Sequence, residues 1–170
     1  DLRILKVALP VGYGQELPAA MDVRRVKGGY LVQTTDSVPE SQVELKPVTQ
    51  RAPTEAEMDD LRFAWRAVKH IKSNAIVLVK DRTLTGMGAG QPSRIIAAQI
   101  SIEKAGDKRQ GSVLASDAMF PFGDVVEAAA AAGVSAIVQP GSSIRDDESI
   151  KAADDAGIAM VFTGERHFEH

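Results

Sequence analysis

The residues with the most chemical potential begin at "TGMGAGQPSR", Thr85 to Arg94, where glycines 86, 88 and 90 alternate and Pro-Ser-Arg leads into an apolar run. Backbone N–H groups of a glycine-rich loop at a helix start can cradle an anion. A Walker A loop also needs Gly-Lys-Ser/Thr, and no lysine stands here. A dinucleotide fingerprint needs a third glycine where Gln91 stands. What remains is either a loop holding an anion or polar group with the help of Arg94, or a purely structural turn.

Three further stretches concentrate unusual polar residues. In "ASDAMFPFGD" a strand end runs into Phe-Pro-Phe between Asp117 and Asp124. That pattern can make a flat apolar slot with a carboxylate at its rim, suited to a ring bearing amino groups. Equally, both phenylalanines can pack in the core while Asp124 caps the next helix. "QPGSSIRDDES" offers hydroxyls at a helix start, or simply the acids that helix N-termini favour. "GERHFEH" carries Arg166, His167 and His170; His-x-x-His allows a metal pair without an evident third ligand, or a polar tail. Lys69-His70 has the make-up of a base pair, but reads as part of an exposed helical face.

The elements that must position these residues follow from periodicity. "LRILKVAL" (2–9), "MDVRRV" (21–26) and "GYLVQTT" (29–35) read as strands, the last two joined by a Lys27-Gly28-Gly29 hairpin turn. Residues 36–53, with prolines 39, 47 and 53, read as a linker. Thr54 and Glu57 make a capping box, and Met58, Leu61, Trp65, Val68 and Ile71 give one apolar stripe, which predicts a helix over 54–71. "NAIVLVK" and "RTLTGMGAG" read as strands, 92–105 as a helix, and "GSVLASDA" as another strand. "VVEAAAAAGVSAIVQPG" and "ESIKAADDAGIAMVFTG" then repeat one plan: a helix closed by glycine, an apolar strand, another glycine. Apolar strands between helices predict an α/β layered domain with a mostly parallel sheet, preceded by a short β-rich segment. In such sheets ligands bind beyond the carboxyl ends of strands, where all four polar stretches fall.

Composition narrows the classes. The 170 residues suit one domain of ordinary size, able to bury about 70% of its unfolded surface. A net charge of −3 with intermixed signs argues against a nucleic-acid or polybasic membrane surface. No apolar run is long enough to span a membrane. The absence of cysteine removes disulfides, thiolate catalysis and cysteine-based metal sites, and fits a cytoplasmic protein. The first residue is Asp rather than Met, so the chain is expected to be a piece of a longer protein.

Together "KSNAIVLVK", "GMGAGQPSR", "SDAMFPFGD", "AAAAAGVSAIVQPGSSIRDDE" and "GIAMVFTGERHFEH" resemble, in order, the C-terminal part of the formyltransferase domain in the bifunctional purine-biosynthesis family (AICAR formyltransferase and IMP cyclohydrolase). AICAR is 5-aminoimidazole-4-carboxamide ribonucleotide. The resemblance runs from about Val23 to His170. It implies that 1–52 joins two cytidine-deaminase-like subdomains and that 53–170 is the second of them, a three-layer unit without zinc. The implied reaction passes a formyl group from 10-formyltetrahydrofolate, a co-substrate rather than a bound cofactor, to the 5-amino group of AICAR. No metal, nucleic acid or membrane is involved, and the family works as a homodimer with its sites at the interface.

By motif match, Asn74, Arg94, Met119 and Arg166 would contact AICAR, Asn74 near the reacting groups. Ile95, Asp124, Ser142 and Ser143 would fall on the folate side, and the glycines of 86–90 would let main chain approach the ribonucleotide. Met119 stands where the family usually has phenylalanine, and Gly123 where it has arginine. The family's catalytic Lys-His pair precedes a Ser-Pro loop in the first subdomain; that string is absent, and so is a cyclohydrolase domain. Lys69-His70 does not inherit the role. The chain alone is therefore expected to supply binding residues without turnover; the alternative is a stand-alone nucleotide- or folate-binding regulatory module.

Overall fold

A computed structural model describes residues 21–167; the expected strand at 2–9 lies outside them, as does His170. The chain divides into two units between Ser37 and Val38. In the first, β1 (Met21–Val26) pairs antiparallel with β2 (Gly29–Thr34), Val23 opposite Val32. Gly28 at the turn has φ 89°, the left-handed conformation that glycine adopts without a Cβ clash.

The second unit is a six-stranded sheet between helices. Its strands are β3 (Lys46–Pro47), β4 (Ile76–Lys80), β5 (Thr83–Gly88), β6 (Val113–Ser116), β7 (Ala136–Gln139) and β8 (Ala159–Phe162), in the order β3-β8-β7-β6-β4-β5. Only β6-β7 and β7-β8 are parallel; β3-β8, β6-β4 and β4-β5 are antiparallel. The mostly parallel sheet is thus corrected to a mixed one. Parallel pairing requires a crossover, and 136–162 supplies one through a helix. Between β4 and β5 there are only two residues, Asp81 and Arg82, so the chain reverses directly.

That reversal lacks the glycine a tight hairpin usually shows. Asp81 and Arg82 both have positive φ, 52° and 53°. The carboxylate of Asp60 accepts from both of their N–H groups, at 2.9 and 2.6 Å, and so holds the turn from the neighbouring helix.

Alternation along the strands sends successive residues to opposite faces. Val77, Val79, Ala115, Val138 and Val161 meet α1 (Glu55–Lys69) through Leu61, Ala64, Trp65 and Val68. Ile76, Leu78, Leu114, Ile137 and Met160 meet α2 (Arg94–Ala105), α3 (Asp124–Ala131) and α4 (Asp146–Asp155). The result is three layers. The Thr54–Glu57 capping box is complete in both directions, as the sequence predicts. Gly133 and Gly157 close α3 and α4 at φ 79° and 67°, each helix ending with the paired backwards bonds of a Schellman motif.

The glycine string has a packing role. Gly86 and Gly88 lie on one face of β5, and a Cβ on either would stand 2.0 Å from a backbone oxygen of α2, Ser101 O and Ala97 O respectively. Gly86 and Gly88 thus admit a helix, a role not assigned to them on sequence grounds.

Residues 38–52 belong to the second unit. Lys46 and Pro47 pair with β8, Val48 N–H donates to Met160 O at 3.0 Å, and Met160 N–H donates to Thr49 Oγ1 at 2.8 Å. Arg51 fastens the segment: its guanidinium forks onto Glu57 at 2.7 and 2.9 Å and reaches Ser135 O at 2.6 Å and Gly157 O at 2.8 Å. The sequence gives little notice of this, because one arginine among prolines looks like any linker residue.

Two outcomes follow from these contacts. Gly88→Ala should lower the unfolding free energy by about 2–3 kcal/mol in urea, followed by Trp65 fluorescence, because the clash is with backbone. Gly123→Ala, whose Cβ finds nothing nearer than 3.7 Å, should lie within about 0.5 kcal/mol of the parent. For the clamp, the Arg51 fork and then the Thr54 N–H hold the Glu57 carboxyl down at about 2, from an ordinary 4.5. Its stabilisation is complete above pH 4.5 and is lost as pH falls towards 2. Because Arg51 is a third exposed, the effect is about 1–2 kcal/mol. Glu57→Gln should cost this much at pH 7 and progressively less below pH 4.5, as read from urea midpoints at each pH.

Candidate functional site

The antiparallel start of the sheet and its parallel end deliver five chain segments to one rim. Ile76 pairs with both Ser116 and Gly88, so the entrance to β4 lies beside the exits of β5 and β6. The exits of β7 and β8 follow in parallel register. Hydrogen bonding continues past the strand ends: Asp117 N–H to Ala75 O (3.2 Å), His167 N–H to Asp117 O (2.8 Å), Thr163 N–H to Gln139 O (3.1 Å) and Gly164 N–H to Pro140 O (3.0 Å). The rim is an extension of the sheet rather than a set of loose loops.

A hollow of about 550 Å³ opens on this rim, within the range of small-molecule sites. Asn74 and Arg94 line one wall, Ala118, Met119 and Pro121 a second, Pro140, Gly141 and Ser142 a third, and Gly164, Glu165 and Arg166 the last. Five residues singled out in the sequence (Asn74, Arg94, Met119, Ser142 and Arg166) thus share one cavity. Ile95, Asp124 and Ser143 are not among its lining. Ile95 packs on the core beneath α2. Asp124 opens α3, its carboxylate accepting from Val125 N–H at 2.8 Å. Ser143 sits in the turn before α4, its N–H donating to Asp146 at 3.1 Å and its hydroxyl accepting from Arg145 N–H at 3.2 Å.

The side chains are positioned by local bonds. Asn74 exchanges main-chain bonds with Gln91, and its Nδ2 donates to Gln91 O at 2.9 Å, so the loop after β5 orients the amide. Arg94, the first residue of α2, donates from Nε to Ser116 Oγ (3.1 Å) and from Nη2 to Asp117 Oδ1 (3.1 Å). The Asp117 side chain is fully buried and that of Arg94 is 14% exposed. Ser142 is exposed with φ 72°, a conformation that costs a non-glycine residue about 1–2 kcal/mol. Such strain is retained at positions where surrounding structure or function demands the side chain.

The Phe-Pro-Phe slot takes a different form. Phe120 is entirely buried among Met160 and Ile137, while Phe122 is half exposed with the Arg145 guanidinium 4.9 Å above its ring. From this stretch Ala118, Met119 and Pro121 line the hollow, and neither phenylalanine does. Nor is 163–167 a loose tail: the His167 ring packs 4.1 Å from Trp65 and is 6% exposed. His70 is the exposed C-cap of α1, and neither Lys69 nor His70 lines the cavity. Sequence reading passed over Asp117 as the partner of Arg94; its place straight after an apolar strand end was the available signal.

The profile of a family described as "AICARFT/IMPCHase bienzyme" matches residues 1–104, more than half of the chain and the part that contains Asn74 and Arg94. The chain belongs to the AICARFT/IMPCHase bienzyme family. Relatives agree: the bifunctional purine biosynthesis protein PurH of Thermoanaerobacter sp. (strain X514) is 54% identical over 170 residues, all of this chain and 32% of that protein. PurH of Ruminiclostridium cellulolyticum is 57% identical over 153 residues, 90% of this chain and 30% of that protein. The family member described here thus spans about a third of the length of the curated relatives it matches. Among solved structures, Acinetobacter baumannii RibD, form 2, aligns with a TM-score of 0.43 and 21% identity over 65% of this chain and 36% of that one, a likeness that carries no functional inference.

The Arg94–Asp117 pair gives this family member a measurable signature. Removing one member of a buried ion pair leaves the other uncompensated, at a cost of about 3 kcal/mol or more. Arg94→Met should therefore destabilise the fold by that amount, and Arg94→Met with Asp117→Asn should recover at least half of it in urea unfolding. Arg94→Ala is accordingly no clean probe of ligand binding, because stability falls with it.

Proposed function

We propose that this chain forms the substrate-binding portion of an AICAR formyltransferase in purine biosynthesis. The observation that carries the reading is the shared cavity, in which two guanidinium groups and an oriented amide converge. A ribonucleotide offers matching groups: a phosphate for a guanidinium fork, and a carboxamide with an adjacent amine for polar groups on the opposite wall. Arg166, exposed at the mouth, suits the phosphate. Arg94 has Nε and Nη2 committed to Ser116 and Asp117, which leaves Nη1 to meet the substrate from a fixed direction. Asn74 is turned by Gln91 and can bond the carboxamide beside the reacting amine. Met119 packs its thioether on the ring.

In the reaction, the 5-amino nitrogen of AICAR attacks the formyl carbon of 10-formyltetrahydrofolate. A tetrahedral intermediate forms and the bond from that carbon to N10 breaks. Tetrahydrofolate leaves with a proton, and formyl-AICAR remains. An arylamine is a weak nucleophile, so its proton must be removed and the oxyanion steadied. The removing base is assigned to the Lys-His segment of the family's other subdomain. The donor is placed around Ser142, with Ile95, Asp124 and Ser143 as outlying folate-side residues. The three-layer unit is read as cytidine-deaminase-like without zinc, working as a cytoplasmic homodimer with sites at the interface, apart from nucleic acid and membrane. No helix among the described residues is long and apolar enough to cross a membrane.

The test is calorimetric. AICAR should bind the chain, and Arg166→Ala, measured under conditions where its urea curve shows it fully folded, should weaken binding about 10- to 100-fold, the worth of a charge-assisted hydrogen bond. Mixed with AICAR and 10-formyltetrahydrofolate, the chain alone should form no formyl-AICAR. An unaltered affinity in Arg166→Ala, or turnover at an ordinary enzymatic rate, would refute this reading.

A further inference from the structure

Gln139 is the last residue of β7 and points to the sheet face otherwise filled by Ile137, Met160 and Phe120. A fully buried amide in an apolar layer is costly unless its polar atoms are used. They are used in a particular way. Oε1 accepts from Gly141 N–H at 3.1 Å and from Phe120 N–H at 3.4 Å, and Nε2 approaches Met160 Sδ at 3.7 Å. One oxygen therefore joins the loop after β6 to the loop after β7. Met119 and Pro121, on either side of Phe120, line one wall of the hollow, and Gly141 with Ser142 lines the next.

Among the described residues no main-chain hydrogen bond joins the two loops, and the other contact that spans them is the Arg145 guanidinium over the Phe122 ring, nearer the solvent. Phe120 and Gly141 stand outside the strands, so no ladder bond crosses between them. Gly141 has φ 73° and a backbone so close to Phe162 that a Cβ would stand 2.5 Å from the ring. The Phe162 ring thus leaves no room for a side chain at Gly141, and Gln139 Oε1 receives its N–H.

We propose that Gln139 is a positioning residue for the site: its amide oxygen sets the separation of the two walls that bear Met119 and Ser142, and thereby the fit of the ligand between them. The inference rests on the cavity being the AICAR site, but its structural half can be read without a ligand. Two variants separate packing from bonding. Gln139→Met keeps length and volume and removes the acceptor; Gln139→Glu keeps an acceptor oxygen at the same reach.

The test combines amide hydrogen exchange with AICAR calorimetry on the chain. In Gln139→Met the Phe120 and Gly141 amides should exchange at least 10-fold faster than in the parent, while amides in β6 and α1 stay unchanged. AICAR affinity should fall at least 5-fold. Gln139→Glu should restore both towards parent values. If Gln139→Met leaves those two amides as slow as before, the tie is not real. If it melts earlier yet binds AICAR with parental affinity, Gln139 is only a core brace, and the proposal falls. A parent chain that binds no AICAR at all would overturn the functional reading and with it the ligand half of this one, while the exchange rates would still decide the tie.

Discussion

The close approach of β5 to α2 is the constraint on which the rest of this structure depends. Gly86 and Gly88 present no side chain, so helix backbone settles directly on strand backbone. That contact fixes where α2 begins. Arg94 is its first residue, and only from there can its guanidinium reach Ser116 and Asp117 at the end of β6. Close packing in the interior thus becomes the direction of a charged group at the surface.

Polar groups in this protein are arranged to do two jobs at once. Asp117 neutralises Arg94 while its main chain ties Ala75 to His167, which links the entrance of β4 to the C-terminal stretch. Gln139 spends its side chain on two loops while its carbonyl receives Thr163. Arg51 unites the start of α1 with the approaches to β7 and β8. Each serves several elements from one position, so a cavity with walls from distant parts of the chain can keep a definite form.

What was legible in the sequence is what depends on local pattern. The Thr54–Glu57 box, the stripe from Met58 to Val68, and the glycines after α3 and α4 all act within a few residues, and all appear in the structure as read. Strand direction was not legible. An apolar run such as Ile76–Val79 reads alike for parallel and antiparallel neighbours, and the turn that decides it is Asp81-Arg82, held by Asp60 across a helix rather than by a glycine of its own. For the site, residue types converged on one rim because all the loops that follow strands β5 to β8 open there. Asn74 precedes its strand, and it reached the list only through the motif match. Ile95 and Ser143 sit next to Arg94 and Ser142, which do line the cavity, and Asp124 stands three places beyond Pro121; neighbours along a helix start or a turn face different ways.

The walls come from residues as far apart as Asn74 and Arg166, and nearly every bond that shapes the rim crosses between segments separated by a strand or a helix. A chain emerging from the ribosome has no complete cavity until the segment from Gly164 to Arg166 has been released and docked, so up to that point the nascent protein is blind to its ligand. A product clipped just before Gly164 keeps most of its core and loses a wall.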